Sequence, residues 1–317
     1  MGWILRPFGA LFCVVVRIRR WGYVRGWFAS LRLPVPVIVV GNLTVGGTGK
    51  TPTVLWIAQF LVSHGWRPGV VSRGYGGRVD DRPRTVDPSD SPTEVGDEPL
   101  LLARRSGVPV AVCRWRGRAG AWLYTQHGCN CLIADDGLQH YALERDLEIV
   151  LLDRTRGTNE RCLPAGPFRE PLQRLAEVPL RIAYGSSLPG EHALTLTPLD
   201  AVALAENTPP RSLASFRETL VHAVAGIGHP LRFFSLLRAA GLCILEHPFP
   251  DHHPFCPEDL DFGDPLPVLM TEKDAVKCFP FSRPGHWYVP VSAVFSPAFG
   301  AALLAHLPPP PRDCPYG

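Results

Sequence analysis

Apolar positions in this chain fall into short β-branched runs, separated by longer stretches where they recur at helical spacing. That alternation is the mark of strands interleaved with helices. Val37-Ile38-Val39-Val40 is the first clear run; it ends in a glycine-rich turn, and an apolar-periodic helix follows from about Pro52 to Ser63. Further strands are expected at 67–72, 108–113, 131–134, 147–152 and 181–184, with helices at 100–105 and up to His127. Residues 78–93 carry little apolar content and read as a mobile loop, and 185–210, rich in Ser, Thr and Pro, reads as a linker. Beyond it, strands are expected at 219–227, 242–246, 268–270 and, last, 287–291, with a helix ending near Ala240. The proline-rich end after Leu307 reads as frayed.

The turn after the first run carries the strongest chemical signal. Thr44, Val45, Gly46, Gly47, Thr48, Gly49, Lys50 and Thr51 lie between a strand and a helix N-terminus. Loop N–H groups and the positive helix end face an anion there, Lys50 can reach the outer phosphates, and the Thr51 hydroxyl can ligate magnesium. Thr44 stands where the usual pattern has its first glycine, so the match is to a Gly-Gly-x-Gly-Lys-Thr variant. The expected fold class is therefore α/β, a P-loop NTPase-like parallel sheet with helices on both faces, plus a smaller C-terminal α/β domain. A chain of 317 residues suits that division, drawn as 1–28 for an N-terminal helix, 29–206 for the P-loop domain and 207–317 for the smaller one.

Downstream, Cys131-Leu132-Ile133-Ala134 runs into Asp135-Asp136-Gly137-Leu138-Gln139-His140. An apolar strand ending in carboxylates, after a phosphate loop, is where such folds place acidic groups directed at magnesium. Two adjacent aspartates closing a buried strand repel one another without a cation between them. A kinase also needs a group to deprotonate an acceptor hydroxyl. Asp97 and the Asp251-His252 pair are candidates if they converge between the domains. Asp97 is equally placed to be a plain helix cap. Thr271-Glu272-Lys273-Asp274 has the residues of a guanine-selecting motif in the wrong register, which counts against GTP.

The net charge of +3 is too small to argue for nucleic acid, and no protein partner is implied. Lysine occurs only at 50, 273 and 277, so one of three sits in the phosphate loop. Nine cysteines make no disulfide framework and no CxxC pair, which together with the ATP-type loop indicates the cytoplasm. The N-terminal run 8–16 is too short to span a bilayer, and its flanking arginines and aromatics fit a helix lying in the headgroup plane. An ordinary docked helix is the competing reading. On residues alone, a kinase, a P-loop ATPase or GTPase acting as switch or chaperone, and a membrane-bound nucleotide sensor all stay open.

Seven ordered blocks narrow this. The loop 40–52, Ser72-Arg73-Gly74-Tyr75-Gly76, Gly96-Asp97-Glu98-Pro99, Asp135 to His140, Gly166-Pro167-Phe168-Arg169-Glu170, Phe249-Pro250-Asp251-His252-His253 and Thr271 to Asp274 resemble the tetraacyldisaccharide 4'-kinase family over nearly the whole chain. The resemblance implies phosphoryl transfer from ATP to the 4'-hydroxyl of a lipid A disaccharide precursor, at the cytoplasmic face of the bacterial inner membrane. It implies ATP and Mg2+ as cofactors, and membrane contact through the N-terminal helix. By motif, Lys50 and Thr51 hold phosphates and magnesium, and Asp135, Asp136 and Glu98 lie on the metal side. Asp97, paired with His252 and flanked by Asp251, is the base. Tyr75, Gln139, His140, Arg169 and Glu170 line the disaccharide side, and Arg118 is a candidate for the precursor's existing phosphate. The family often has Phe where Leu138 sits, a swap that keeps an apolar side chain.

Overall fold

The computed structural model describes residues 4–155, 159–205 and 208–310. The chain opens with α1 (Arg6–Val24), β1 (Val37–Asn42), α2 (Lys50–Ser63), β2 (Pro68–Ser72) and β3 (Arg84–Thr85). Next come α3 (Pro92–Val95), α4 (Asp97–Ser106), β4 (Val110–Val112), α5 (Arg116–His127) and β5 (Cys131–Asp135). β6 (Leu147–Asp153), β7 (Leu180–Tyr184), β8 (His192–Pro198) and β9 (Val202–Ala203) follow. The remainder is β10 (Leu220–Ala225), α6 (Pro230–Ala239), β11 (Cys243–Pro248), β12 (Val268–Thr271), α7 (Glu272–Cys278), β13 (His286–Val289), β14 (Val291–Phe295) and α8 (Pro297–Ala305).

A nine-stranded sheet in the order β14-β8-β7-β6-β1-β5-β2-β4-β3 forms the larger domain. Its strands from β8 to β4 are parallel, and the edge strands β14 and β3 are antiparallel. Every residue of β1 and β5 is buried, because both faces are covered. This is why these strands read as unbroken apolar runs instead of alternating ones. One face packs Val54, Ile57 and Leu61 of α2 with Leu100 of α4 and Phe299 of α8. The other packs Ala119 and Leu123 of α5 with Leu138 and Phe168. The smaller domain is a five-stranded sheet, β11-β10-β12-β13-β9, with Phe233, Phe234 and Leu237 of α6 in its core.

Several expectations are corrected. Residues 185–210 are not a plain linker: β8 joins the large sheet and β9 the small one. The expected boundary residues 206 and 207, like 1–3 of the N-terminal segment and the tail 311–317, lie outside the described residues. Nor does the chain stay in the smaller domain to its end. Pro290 splits the run expected as the last strand, so β13 stays in the small sheet while β14 crosses back to pair with β8. The Phe299 ring of α8 then lies 5.3 Å from the Trp56 ring of α2. Pro290 has no N–H for a ladder, which marks the crossing point. The stretch 78–93 is pinned rather than loose, with β3 on β4 and Arg84 bound to Glu94 (3.1 Å) and Asp90. Cys13 and Cys162 form a disulfide across 149 positions with Cα atoms 6.0 Å apart. Spacing along the chain holds no trace of such a pair. It ties α1 to the loop before Arg169, and it removes uniformly reduced thiols as an argument about compartment.

Candidate active site

The phosphate loop sits where β1 hands over to α2. Gly41 lets Leu138 close over the strand end; a Cβ there would stand 2.8 Å from the Leu138 Cβ. Gly49, at φ +89°, is the N-cap of α2 and supplies no side-chain acceptor to its first N–H groups. Those donors, with the helix dipole behind them, face a cavity of about 1180 Å³ lined by Val45 through Thr51. Thr44 instead makes a β-bridge to Phe168, and the Val45 N–H donates to the Pro167 carbonyl at 2.9 Å. The departure from the usual glycine thus anchors the loop to segment 162–170. Lys50 Nζ lies 3.4 Å from Asn42 Oδ1 and 3.5 Å from Asp136 Oδ1.

At the end of β5, Asp135 is 1% exposed and its Oδ1 has no hydrogen-bond partner. Burial first, then the charges of Glu98 and Asp136, push its carboxyl up to about 7, against the pull of Lys50 and Arg116. Asp136 is only partly buried, its side chain 28% exposed; that burial opposes its ionisation, but Lys50 and Arg169 hold it below the usual carboxylate range. Its φ of +47° is uncommon for a non-glycine residue and turns its carboxylate to Arg169 Nη1 at 2.9 Å. Arg116, 6% exposed at the start of α5, donates to the Asp135 and Asp136 carbonyls and fixes this turn.

A divalent ion suits this donor set. Asp135 offers an unsatisfied buried oxygen, and Thr51, Glu98 and Asp136 line the same cavity. Among the described residues, no three His, Cys, Asp or Glu side chains are grouped to hold a metal by themselves.

The second domain closes the cavity. The Ile227-Gly228-His229 turn rests on the phosphate loop, where a Cβ on Gly228 would come 2.9 Å from the Gly47 nitrogen and 3.2 Å from Asp251 Oδ2. His252, at φ +60°, reaches across to Asp97 in the first turn of α4, with Nδ1 3.0 Å from Asp97 Oδ2. Burial opposes ionisation of Asp97, but the His252 hydrogen bond and the Lys273 charge hold its carboxyl below the usual range. The same bond raises His252 above the usual imidazole value in spite of its burial. Asp251 lines the cavity beside it.

On the α1 side the cavity is lined by Tyr75, Gln139, His140 and Arg169, and the Tyr75 ring lies 5.0 Å from that of His252. Burial, then Arg116 and Arg145, lower His140 to about 4, so its ring is neutral near pH 7. Glu170 does not line this cavity. It is 1% exposed and orients its neighbours, accepting from Gln139 Nε2 at 2.9 Å and Tyr141 Oη at 2.5 Å. Arg118 is also outside it, donating to the Asp81 carbonyl at 3.1 Å. Arg19, Arg73, Arg114, Arg116 and Arg232 join Arg169 in the lining. Sequence reasoning passed over these, and passed over Lys273 as part of a misplaced guanine motif. Helix α1 contributes Phe12, Val15, Val16 and Arg19 to the wall while Phe8, Leu11, Val14, Ile18 and Trp21 stay exposed. No helix among the described residues is long and apolar enough to cross a membrane.

The sequence profile described as tetraacyldisaccharide-1-P 4'-kinase matches residues 1–308. The tetraacyldisaccharide 4'-kinase of Nitrosococcus oceani is 52% identical over 306 residues, covering 96% of this chain and 90% of that protein. The enzyme of that name from Alkalilimnicola ehrlichii is 52% identical over 314 residues, covering 96% and 92%. A crystal structure of LpxK from Aquifex aeolicus in complex with ATP superposes with a TM-score of 0.81 at 26% identity, covering 97% of this chain and 99% of that one. Fold, sequence and the nucleotide-ready loop agree, and the chain belongs to the tetraacyldisaccharide-1-P 4'-kinase family.

Proposed function

We propose that this ATP-dependent tetraacyldisaccharide 4'-kinase uses Asp97 as the base that takes the proton of the sugar 4'-hydroxyl. The observation that carries it is the Asp97–His252 contact: His252 lines the cavity that holds Lys50, and Asp97, 5% exposed and outside the lining itself, is bonded to it. An ordinary carboxylate is a weak base, with a free pKa of about 3.9, so position must compensate. His252 orients Asp97, and its raised proton affinity lets it share the charge. As the 4'-oxygen bonds to the γ-phosphorus, the bond from that phosphorus to the β,γ-bridging oxygen breaks. The hydroxyl proton passes to Asp97 and ADP departs. Lys50 and the loop N–H groups hold the phosphates in line. Thr51, Asp135, Asp136 and Glu98 would hold Mg2+, which when bound neutralises charge on the β- and γ-phosphates. Gln139, His140, Tyr75 and Arg169 face the disaccharide. The cavity-lining arginines 19, 73, 114 and 116 take the acceptor's own phosphate in place of Arg118.

The assignment is tested with γ-labelled ATP and the lipid disaccharide in detergent. Label on the sugar supports it; phosphate release independent of acceptor supports an ATPase. The exposed apolar face of α1 beside Arg17, Arg20 and Arg25 supports peripheral attachment to the cytoplasmic face of the inner membrane. Deleting residues 1–28 is expected to lower recovery on anionic vesicles in a flotation assay. Undiminished flotation would place the attachment elsewhere.

The Asp97–His252 pair also predicts a pH-dependent tie between the domains. A lowered carboxyl contributes stability that is lost as pH falls through its folded value. A raised imidazole contributes stability that is lost as pH rises through its own. The charged pair is therefore strongest between the two. The melting temperature of His252→Gln is expected to fall short of wild type by more at pH 6 than at pH 9, read by differential scanning fluorimetry. An equal deficit at both values would remove the charged pair.

A further inference from the structure

The Thr271-Glu272-Lys273-Asp274 turn is not used by the mechanism above, yet Glu272, Lys273 and Asp274 each bond to a different segment around the site. Thr271 caps α7, accepting from the Asp274 N–H at 3.1 Å. Asp274, 0% exposed, accepts from the Gly226 N–H at 2.8 Å and so holds the turn whose Gly228 rests on the phosphate loop. Glu272, largely buried, accepts from Arg105 Nη1 at 2.6 Å. Lys273 Nζ lies 3.0 Å from Glu98 Oε1, 3.3 Å from Asp251 Oδ1 and 3.3 Å from His252 Nε2.

Glu98 and Arg105 are seven residues apart on α4, two turns along one face of the helix that begins with Asp97. Glu272 and Lys273 therefore meet α4 with two ion pairs of opposite polarity. Such a pattern fixes register, since sliding by a turn or inverting the partner brings like charges together. Both pairs are sheltered, with side-chain exposures from 11% to 27%.

We propose that this turn is the coupling element that holds the two domains in register over the site. In it, Glu272–Arg105 is the anchor, and Lys273 is a positioning residue that, bridging Glu98 and Asp251, sets the 251–252 turn so that His252 meets Asp97. The proposal rests on the kinase reading, with Asp97 and His252 at the reacting hydroxyl. It gives the misregistered motif a mechanical role in place of base recognition.

Two sets of variants test it, each first checked for a wild-type circular dichroism spectrum. Lys273→Met is expected to lower kcat roughly 100-fold, as misplacement of a reacting group does, while binding of a non-hydrolysable ATP analogue changes by less than about threefold. Lys273→Arg, which keeps the charge, is expected to recover about tenfold of that loss. Glu272→Arg and Arg105→Glu singly are each expected to lower kcat/KM for the lipid about tenfold, and the double reversal to restore most of it. Additive losses in the double variant, or an unchanged kcat in Lys273→Met, overturn the proposal. Failure of the base reading looks different: Asp97→Asn would turn over at the wild-type rate whether or not the charge reversal rescues.

Discussion

Asp97→Asn is expected to lower kcat by roughly 10²–10⁴-fold, the range that a positioned general base contributes. The substitution is nearly isosteric, and its side-chain oxygen still accepts from His252 Nδ1, so the contact between the domains survives. What is lost is the capacity to take a proton. Binding of ATP, which depends on Lys50 and the loop N–H groups, should therefore stay within about threefold of wild type, since that machinery is untouched. Steady-state kinetics with the lipid disaccharide and titration with a fluorescent ATP analogue give the two readouts. A variant with wild-type turnover would remove Asp97 from the base role. One that loses ATP binding as severely as turnover would give Asp97 a structural role in place of the base role.

The second large effect is expected at Asp135, where function and stability pull in opposite directions. Asp135→Asn removes a carboxylate on the metal side of the phosphate site, and several kcal/mol of charge stabilisation translates to a rate loss of roughly 100-fold or more. Without nucleotide and magnesium, the same change should stabilise the protein at pH 8. Burial and the nearby Glu98 and Asp136 push the Asp135 carboxyl up to about 7 in the folded state, against about 3.9 in an unfolded chain. Between those values the folded state binds the extra proton, so stability falls as pH rises through the window. Above it the full cost of a buried charge is present, and asparagine avoids it. The melting temperature of the variant should thus exceed wild type by several degrees at pH 8, with the gap closing toward pH 4.5. A variant that melts lower at pH 8, or that keeps full activity, would refute the assignment.

The smaller predictions share a premise with these two. They concern the three ion pairs that join α4 to the 251–252 turn and to α7. Asp97–His252 and Glu98–Lys273 lie at the start of α4, where the base is proposed, and Arg105–Glu272 lies two helical turns away. A residue far from the phosphates can therefore matter to turnover without touching substrate.

The chain by itself determined the α/β architecture, the phosphate loop and the acidic strand end. Those features are local: a buried parallel strand must be continuously apolar, and a helix N-terminus beside glycines needs only a few adjacent residues to cradle an anion. The ordered motifs also carried the family and its reaction. Tertiary structure alone decided what depends on distant segments meeting. It showed that Pro290 sends β14 and α8 back to the first sheet, that Cys13 meets Cys162, and that Arg118 turns to Asp81 while Arg73, Arg114 and Arg116 enter the cavity. It also showed that Lys273 stands among Glu98, Asp251 and His252. A side chain's direction and its charged neighbours are set by packing across the whole fold, and no spacing rule along the chain encodes them.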